Sequence, residues 1–241
     1  MKNKLKFLLI QARKLNDPMI KNELDCFKRI LNLESGSITN IDVTREIITP
    51  KIIKKFDVVL VGGSGDYSIA KGGSFMKQTL DLMELLYETS KPTFASCWGF
   101  QAMAKAMGSN VINDLKLAEL GTIKLTLTNE GKKDPVFQYL SDSFFCQMGH
   151  EDIVITKPKN SVILAYSEKI KIEAFCFKEK PIYCTQFHPE LRLEDLKNRM
   201  QAYPHYINKI LGITMKEFIE KRCFEAKESE NLLNQFIKTY F

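Results

Sequence analysis

Histidine is scarce in this chain: three occur in 241 residues, at positions 150, 188 and 205. A reaction that needs an imidazole near neutral pH therefore has three candidates. The six cysteines (26, 97, 146, 176, 184 and 223) include no CxxC pair and no metal-type spacing. No metal centre or disulfide framework is expected, and a reduced, cytoplasmic setting is the simplest reading of the unpaired thiols. Long apolar runs are also missing, so no membrane span is expected. The opening MKNKLKFLLIQARK has an apolar stretch of only residues 7–10 before Arg13 and Lys14, too short for a secretory signal. The net charge of +6 is spread over lysines such as Lys51, Lys54, Lys55, Lys132 and Lys133. Without a basic run interleaved with aromatics, neither nucleic acid nor a membrane is expected as a partner. Internal repeats and low-complexity segments are lacking too.

What is present reads as one large α/β domain. A hydrophobic content of 44% is ample for a core, and a charged content of 27% is ordinary for a soluble protein. Apolar stretches at residues 5–11, 38–43, 56–61 and 92–96 read as strands. Between them, Ile20, Leu24, Phe27 and Leu31 mark one helix, opened by Asp17-Pro18. Met76, Leu80, Met83 and Tyr87 mark another, with Ser74 as its expected cap. Strands alternating with helices predict a doubly wound, mostly parallel sheet flanked by helices. After Gly108 the texture turns to strand, with candidates at 121–128, 144–147, 153–156, 162–166, 172–177 and 182–186. Asp134-Pro135-Val136-Phe137 reads as a short helix start. From Leu193 the pattern is helical, broken near Pro204 and Gly212.

Cys97 sits at the strand-to-helix junction of KPTFASCWGFQAMAKAMG, residues 91–108. Small Ala95 and Gly99, two residues to either side, suit the tight backbone of such a turn. The following helix aims its free N–H groups at the sulfur, which predicts a lowered thiol pKa. A buried structural cysteine is the plainer alternative. A nucleophile needs a base, and the base needs an orienting group. His188 follows a strand end, and Glu190 lies two residues on, facing the same way in extended backbone. The loop GGSGDYS after the third strand reads either as a phosphate cradle or as a donor loop for a reacting carbonyl. It lacks a GKS or GKT ending, which favours the second.

Together these pieces resemble the class I glutamine amidotransferases. ASCWGFQ and, about ninety residues later, QFHPE carry the resemblance, and LGTIKLTLT, DPVF, GHED (149–152) and ILAYSE (163–168) add to it. The likeness runs from about residue 5 to residue 190, and is greatest to stand-alone proteins similar to the amidotransferase part of GMP synthase. It implies a flavodoxin-like fold over residues 1–190, with residues 191–241 as a helical extension packed on it. It further implies a γ-glutamyl thioester at Cys97, His188 as general base and acid, and Glu190 as its orienting group. Gly63 and Trp98 would supply backbone oxyanion donors, Gln101 would contact the bound glutamine, and His150 would line the substrate. The expected function is glutamine hydrolysis without a cofactor, the ammonia passing to a separate acceptor or synthetase subunit. The alternative is a γ-glutamyl peptide or amine hydrolase or transferase with the same triad; a non-catalytic regulatory protein is a third reading. Ala95 departs from the family's usual glycine, and the catalytic motifs leave the last fifty or so residues unexplained.

Overall fold

The computed structural model describes residues 5–34 and 36–241; the basic opening residues 1–4 fall outside them. Strands and helices alternate at first: β1 (Phe7–Gln11), α1 (Met19–Leu31), β2 (Ile38–Asp42), α2 (Pro50–Ile53), β3 (Val58–Val61), α3 (Met76–Glu88), β4 (Thr93–Ser96) and α4 (Trp98–Ala106). The next stretch is mostly strand, with β5 (Val111–Asn113), β6 (Glu119–Leu127), β7 (Ser143–His150), β8 (Asp152–Val154), β9 (Ser161–Tyr166), β10 (Ala174–Phe177) and β11 (Ile182–Thr185). Helices α5 (Leu193–Ala202), α6 (His205–Leu211), α7 (Met215–Arg222), α8 (Lys227–Glu230) and α9 (Leu232–Tyr240) follow.

The main sheet has the order β2-β1-β3-β4-β11-β10-β9-β6-β7. The five strands from β2 to β11 are parallel, and the wing from β10 to β7 is antiparallel. Every residue of β1, β3, β4 and β11 is buried, as parallel strands covered on both faces require. Alternate residues serve opposite faces. Phe7, Leu9, Leu60 and Phe94 join Phe27 and Ile30 of α1 on one side; Leu8, Ile10, Val59 and Ala95 join Met83 of α3 and Met103 of α4 on the other. Strand order reverses around β1, and the crevice beyond the carboxyl ends of the strands is where such sheets bind ligands. No helix among the described residues is long and apolar enough to cross a membrane.

Several local expectations are corrected. Ser74 does not cap α3, which starts at Met76 without a side-chain cap. Asp134-Pro135-Val136-Phe137 is a turn and not a helix start: Oδ1 of Asp134 accepts the N–H groups of Val136 and Phe137, while the 3-10 turn lies earlier, at Gly131–Lys133. The buried face of α1 runs through Met19, Glu23, Cys26, Phe27, Ile30 and Leu31, so a glutamate occupies a core position. Strand β5 was not expected.

The tail packs on the rest of the chain. Leu196, Met200, Ile207, Phe218 and Cys223 cluster with Leu120 of β6. Helix α9 buries Leu232, Leu233, Phe236 and Ile237 in the core beside α1. The Phe236 ring meets Phe94 and Tyr183 edge-on, at centroid distances of 5.6 and 5.7 Å. Phe236→Ala is expected to cost about 3–5 kcal/mol in urea denaturation; a loss under about 1 kcal/mol would show that α9 is not part of the core.

Candidate active site

Cys97 follows β4 directly and caps α4, with φ 50° and ψ −100°. Holding a non-glycine residue at positive φ costs about 1–3 kcal/mol, and the surroundings must enforce it. The Cys97 N–H donates to the Thr185 carbonyl of β11 at 2.8 Å, and its own carbonyl accepts the Gln101 N–H at 3.0 Å. Gly99 lets α4 press onto β3: a Cβ there would lie 2.7 Å from Val61 Cγ1 and 2.9 Å from the Val61 carbonyl oxygen.

Thr185 of β11 stands opposite Ser96 of β4 in parallel register, so the chain leaving β11 passes beside Cys97. His188 lies there, its Nδ1 2.6 Å from Oε1 of fully buried Glu190. The other Glu190 oxygen accepts the Ser96 hydroxyl at 3.3 Å. A carboxylate at that distance assigns the proton to Nδ1 and leaves the lone pair on Nε2. Gln186, also beyond β11, donates to the Cys97 sulfur at 3.5 Å and accepts from Gln101 at 3.2 Å. Gln101 donates as well to the Asp152 carbonyl at 3.1 Å. The Cys97 thiol itself points at the Gly149 carbonyl, 3.7 Å away; no hydrogen bond joins it to His188 among the described residues.

The expected low-pKa thiol is not found. Burial pushes the Cys97 thiol up to about 12, with the Arg199 charge opposing and Glu190, Asp152 and Glu23 adding to the rise. A helix N-terminus contributes only about 0.3–1 kcal/mol at an ordinary site, too little to offset enclosure of the sulfur. Cys97 is therefore a thiol at rest. Cys26 and Cys176 are likewise pushed up to about 12 by burial, and Cys184 and Cys146 well above the usual range.

Gly63 lies against the imidazole, where a Cβ would fall 2.7 Å from His188 Cε1. Its N–H, expected to face a reacting carbonyl, donates instead to Oε1 of Glu23 at 2.8 Å. Glu23 is held by Arg13 at 3.2 Å and by Gln11 at 2.7 Å. Burial alone would push its carboxyl up, but Arg13 and Arg199 outweigh that and lower it to about 2. Trp98 is buried, and its N–H, in the first turn of α4, has no intrahelical acceptor.

His150 ends β7, with Nδ1 3.1 Å from the Asp152 carbonyl and Nε2 3.6 Å from Oε2 of Glu119. Glu173 completes a buried group whose ligand atoms lie within 4.8 Å of one another. One nitrogen and two carboxylates have the composition of a metal site, but a shared proton accounts for the same charges. Burial and the Glu119 carboxylate hold the Glu173 carboxyl well above its usual range. Glu119, despite its own burial, is lowered by hydrogen bonds from His150 and Glu173. Glu173 is a neutral acid beside an ionised neighbour.

Cys97, Trp98, Gln101, His150 and His188 all line one cleft of about 400 Å³, within the ~300–1,000 Å³ usual for small-molecule sites. Glu190 stands behind His188, and Gly63 behind the loop of Ser64 and Gly65 that forms part of the rim. The tail closes one side with Arg199, Tyr203, Tyr206 and Lys209. Tyr203 donates to Asp17 at 2.7 Å, the Tyr206 hydroxyl donates to the Gly65 carbonyl, and Lys209 pairs with Glu151 at 2.6 Å. Sequence reading missed these tail residues, together with Gln186, Arg13 and Glu23. Gln186 was within reach as the first residue of QFHPE. Glu23 was too, as a charge on the 19-23-26-27-30 face of α1.

The chain belongs to the glutamine amidotransferase class-I family, whose model matches residues 26–202. Within it, the chain is similar to a stand-alone subunit of GMP synthase (glutamine-hydrolyzing) from Sulfurisphaera tokodaii, 33% identical over 165 residues that cover 65% of this chain and 84% of that protein. It is 30% identical over 185 residues to a GMP synthase (glutamine-hydrolyzing) of Malacoplasma penetrans, covering 76% of this chain but only 34% of that one. A glutamine amidotransferase structure from Thermotoga maritima shares the fold, with a TM-score of 0.76 at 19% identity over 97% of each chain.

The neutral Glu173 makes a testable claim. Its folded pKa lies above the unfolded value of ~4.3, so its contribution to stability is full below that value and is lost as pH rises towards the folded one. Glu173→Gln keeps the shape and has no proton to lose. Its stability in urea should fall less than that of the parent between about pH 5 and about pH 8; an equal or steeper fall would contradict a neutral acid.

Proposed function

We propose that the protein hydrolyses the side-chain amide of glutamine through a γ-glutamyl thioester on Cys97 and passes the ammonia to a separate acceptor enzyme. The observation that carries this reading is the 2.6 Å contact between His188 Nδ1 and Glu190. It leaves Nε2 free as a base on the cleft into which the strained Cys97 turn opens. With substrate seated, Nε2 takes the thiol proton as Sγ bonds to the amide carbon, whose carbonyl oxygen becomes an oxyanion. On collapse the carbon–nitrogen bond breaks, and Nε2 returns the proton to the leaving nitrogen as ammonia. Water then attacks the thioester, giving up a proton to Nε2, and the sulfur leaves and recovers it. Glutamate and a free thiol result, and no cofactor is needed.

Because Cys97 rests as a thiol, its ionisation belongs to the substrate-bound state. The Trp98 N–H serves the oxyanion directly. The Gly63 N–H joins it only by exchanging Glu23 for the substrate oxygen, which makes the hole complete with substrate and half-built without it. Gln101 and Gln186 line the glutamine side chain, with His150 further along the cleft. Delivery to a partner rests on the Sulfurisphaera relative, which is named as one subunit of its synthase, carried over to this chain as part of the proposal.

A second reading keeps the chemistry and enlarges the substrate to a γ-glutamyl peptide or amine. It is favoured by Tyr203, Tyr206 and Lys209, which wall the cleft from beyond the residues matched by the family model. The thioester step is indifferent to the leaving group, so the pocket decides.

The test is release of ammonia from glutamine, or of amine from γ-glutamyl compounds, by the purified chain. Cys97→Ala should abolish release, His188→Ala should lower it about 10²–10⁴-fold, and Glu190→Gln should be milder. Substantial turnover by Cys97→Ala would reject the thioester. Amine release from γ-glutamyl compounds without ammonia from glutamine would select the second reading.

A further inference from the structure

Arg199 comes from the tail helix α5, yet its guanidinium lies between two fully buried carboxylates. Nη2 is 3.7 Å from Oε1 of Glu190 and 3.6 Å from Oε1 of Glu23. Nη1 is 3.3 Å from His188 Nδ1, a contact and not a donation, because that nitrogen carries the proton shared with Glu190. Arg199 is 7% exposed, and its Nε and Nη2 make no hydrogen bond. A buried cation in this position compensates charge that would otherwise be costly to enclose. Glu23 also accepts the Gly63 N–H, so the guanidinium adjoins both the histidine side and the glycine-loop side of the site.

We propose that Arg199 is a positioning residue, a tail-borne cation that holds Glu190 against His188 and, through Glu23, the Gly63 loop. The proposal rests on the roles given above to Cys97, His188 and Glu190. It assigns the tail a part in the reaction beyond packing: α5 delivers the charge that fixes the geometry of the base. The charged and titratable groups acting on Cys97 are Arg199 and Glu190, Asp152 of β8, Glu23 of α1 and Tyr206 of α6. Arg199 is the cation of that set. Its loss must make the thiolate harder to form, and loss of the Glu23 charge must make it easier.

Two readouts on the intact chain test this. The first is the rate of Cys97 alkylation by iodoacetamide at about pH 8, followed by peptide mass spectrometry; it needs no substrate. Arg199→Met should slow alkylation about three- to tenfold, since rate follows thiolate fraction against a partial loss of nucleophilicity. Arg199→Lys keeps the charge and should restore most of the rate, while Glu23→Gln should accelerate alkylation. The second is turnover of glutamine: Arg199→Met should lower kcat about tenfold with KM within about twofold. Arg199→Lys should recover kcat only in part, because an ammonium cannot span two carboxylates as a guanidinium does. A folded Arg199→Met with parental alkylation and kcat would overturn the proposal. If that variant does not fold, Glu23→Gln decides, and an unchanged or slower alkylation overturns it. Failure of the parent protein to hydrolyse any glutamyl substrate would reject the proposed function instead, while the alkylation series would still report on Arg199.

Discussion

The parallel pairing of β4 with β11 is the constraint on which the rest depends. Residues 97 and 188 are far apart in the chain, and what brings them together is the register that sets Thr185 opposite Ser96. The same register supplies the Thr185 carbonyl that accepts the Cys97 N–H at 2.8 Å, and so helps enforce a backbone conformation that cysteine does not favour. Both strands are buried along their whole length, which makes slippage costly: a shift of one residue would exchange their two faces. The fold thus fixes the relative position of sulfur and imidazole through main-chain bonds and leaves the side chains to do chemistry.

Around that frame lies an unusual amount of enclosed charge. Glu190, Glu23, Arg13 and Arg199 are each at least nine-tenths buried, and every carboxylate among them has a cation within 3.7 Å. Such groups are costly to bury and costly to break apart, so they hold one arrangement strongly. That rigidity suits a base whose tautomer must not change between turnovers. The resting state also withholds reactivity: the thiol is protonated, and the Gly63 N–H is committed to Glu23. Substrate binding has two tasks, to bring Cys97 and His188 into proton-transfer contact and to free that N–H.

The parallel half of the fold was legible because its strands are short apolar runs punctuated by helices of clear period. The functional pair was legible because Cys97 and His188-Pro189-Glu190 lie at strand ends, where chemistry collects. Local propensity misled where tertiary packing decided, as at Ser74 and at the Asp134 turn. The thiol pKa was misjudged because a sequence reports a helix N-terminus but not how completely the sulfur is enclosed. Arg199, Tyr203 and Tyr206 were invisible because a charged or aromatic residue on an amphipathic tail helix does not say which distant cleft it closes. Glu23 is the instructive miss, a charge on an apolar helical stripe, whose partners in Arg13 and Arg199 only the folded chain assembles.

The central claim is a covalent γ-glutamyl intermediate on Cys97. Acid-quenching the protein during turnover of glutamine, digesting it and weighing the peptide that carries Cys97 tests that claim most directly. The account predicts a γ-glutamyl adduct on that cysteine alone, lost on treatment with hydroxylamine and absent from Cys97→Ser quenched in the same way. Steady turnover with every Cys97 peptide unmodified, or an adduct on another cysteine, would contradict it.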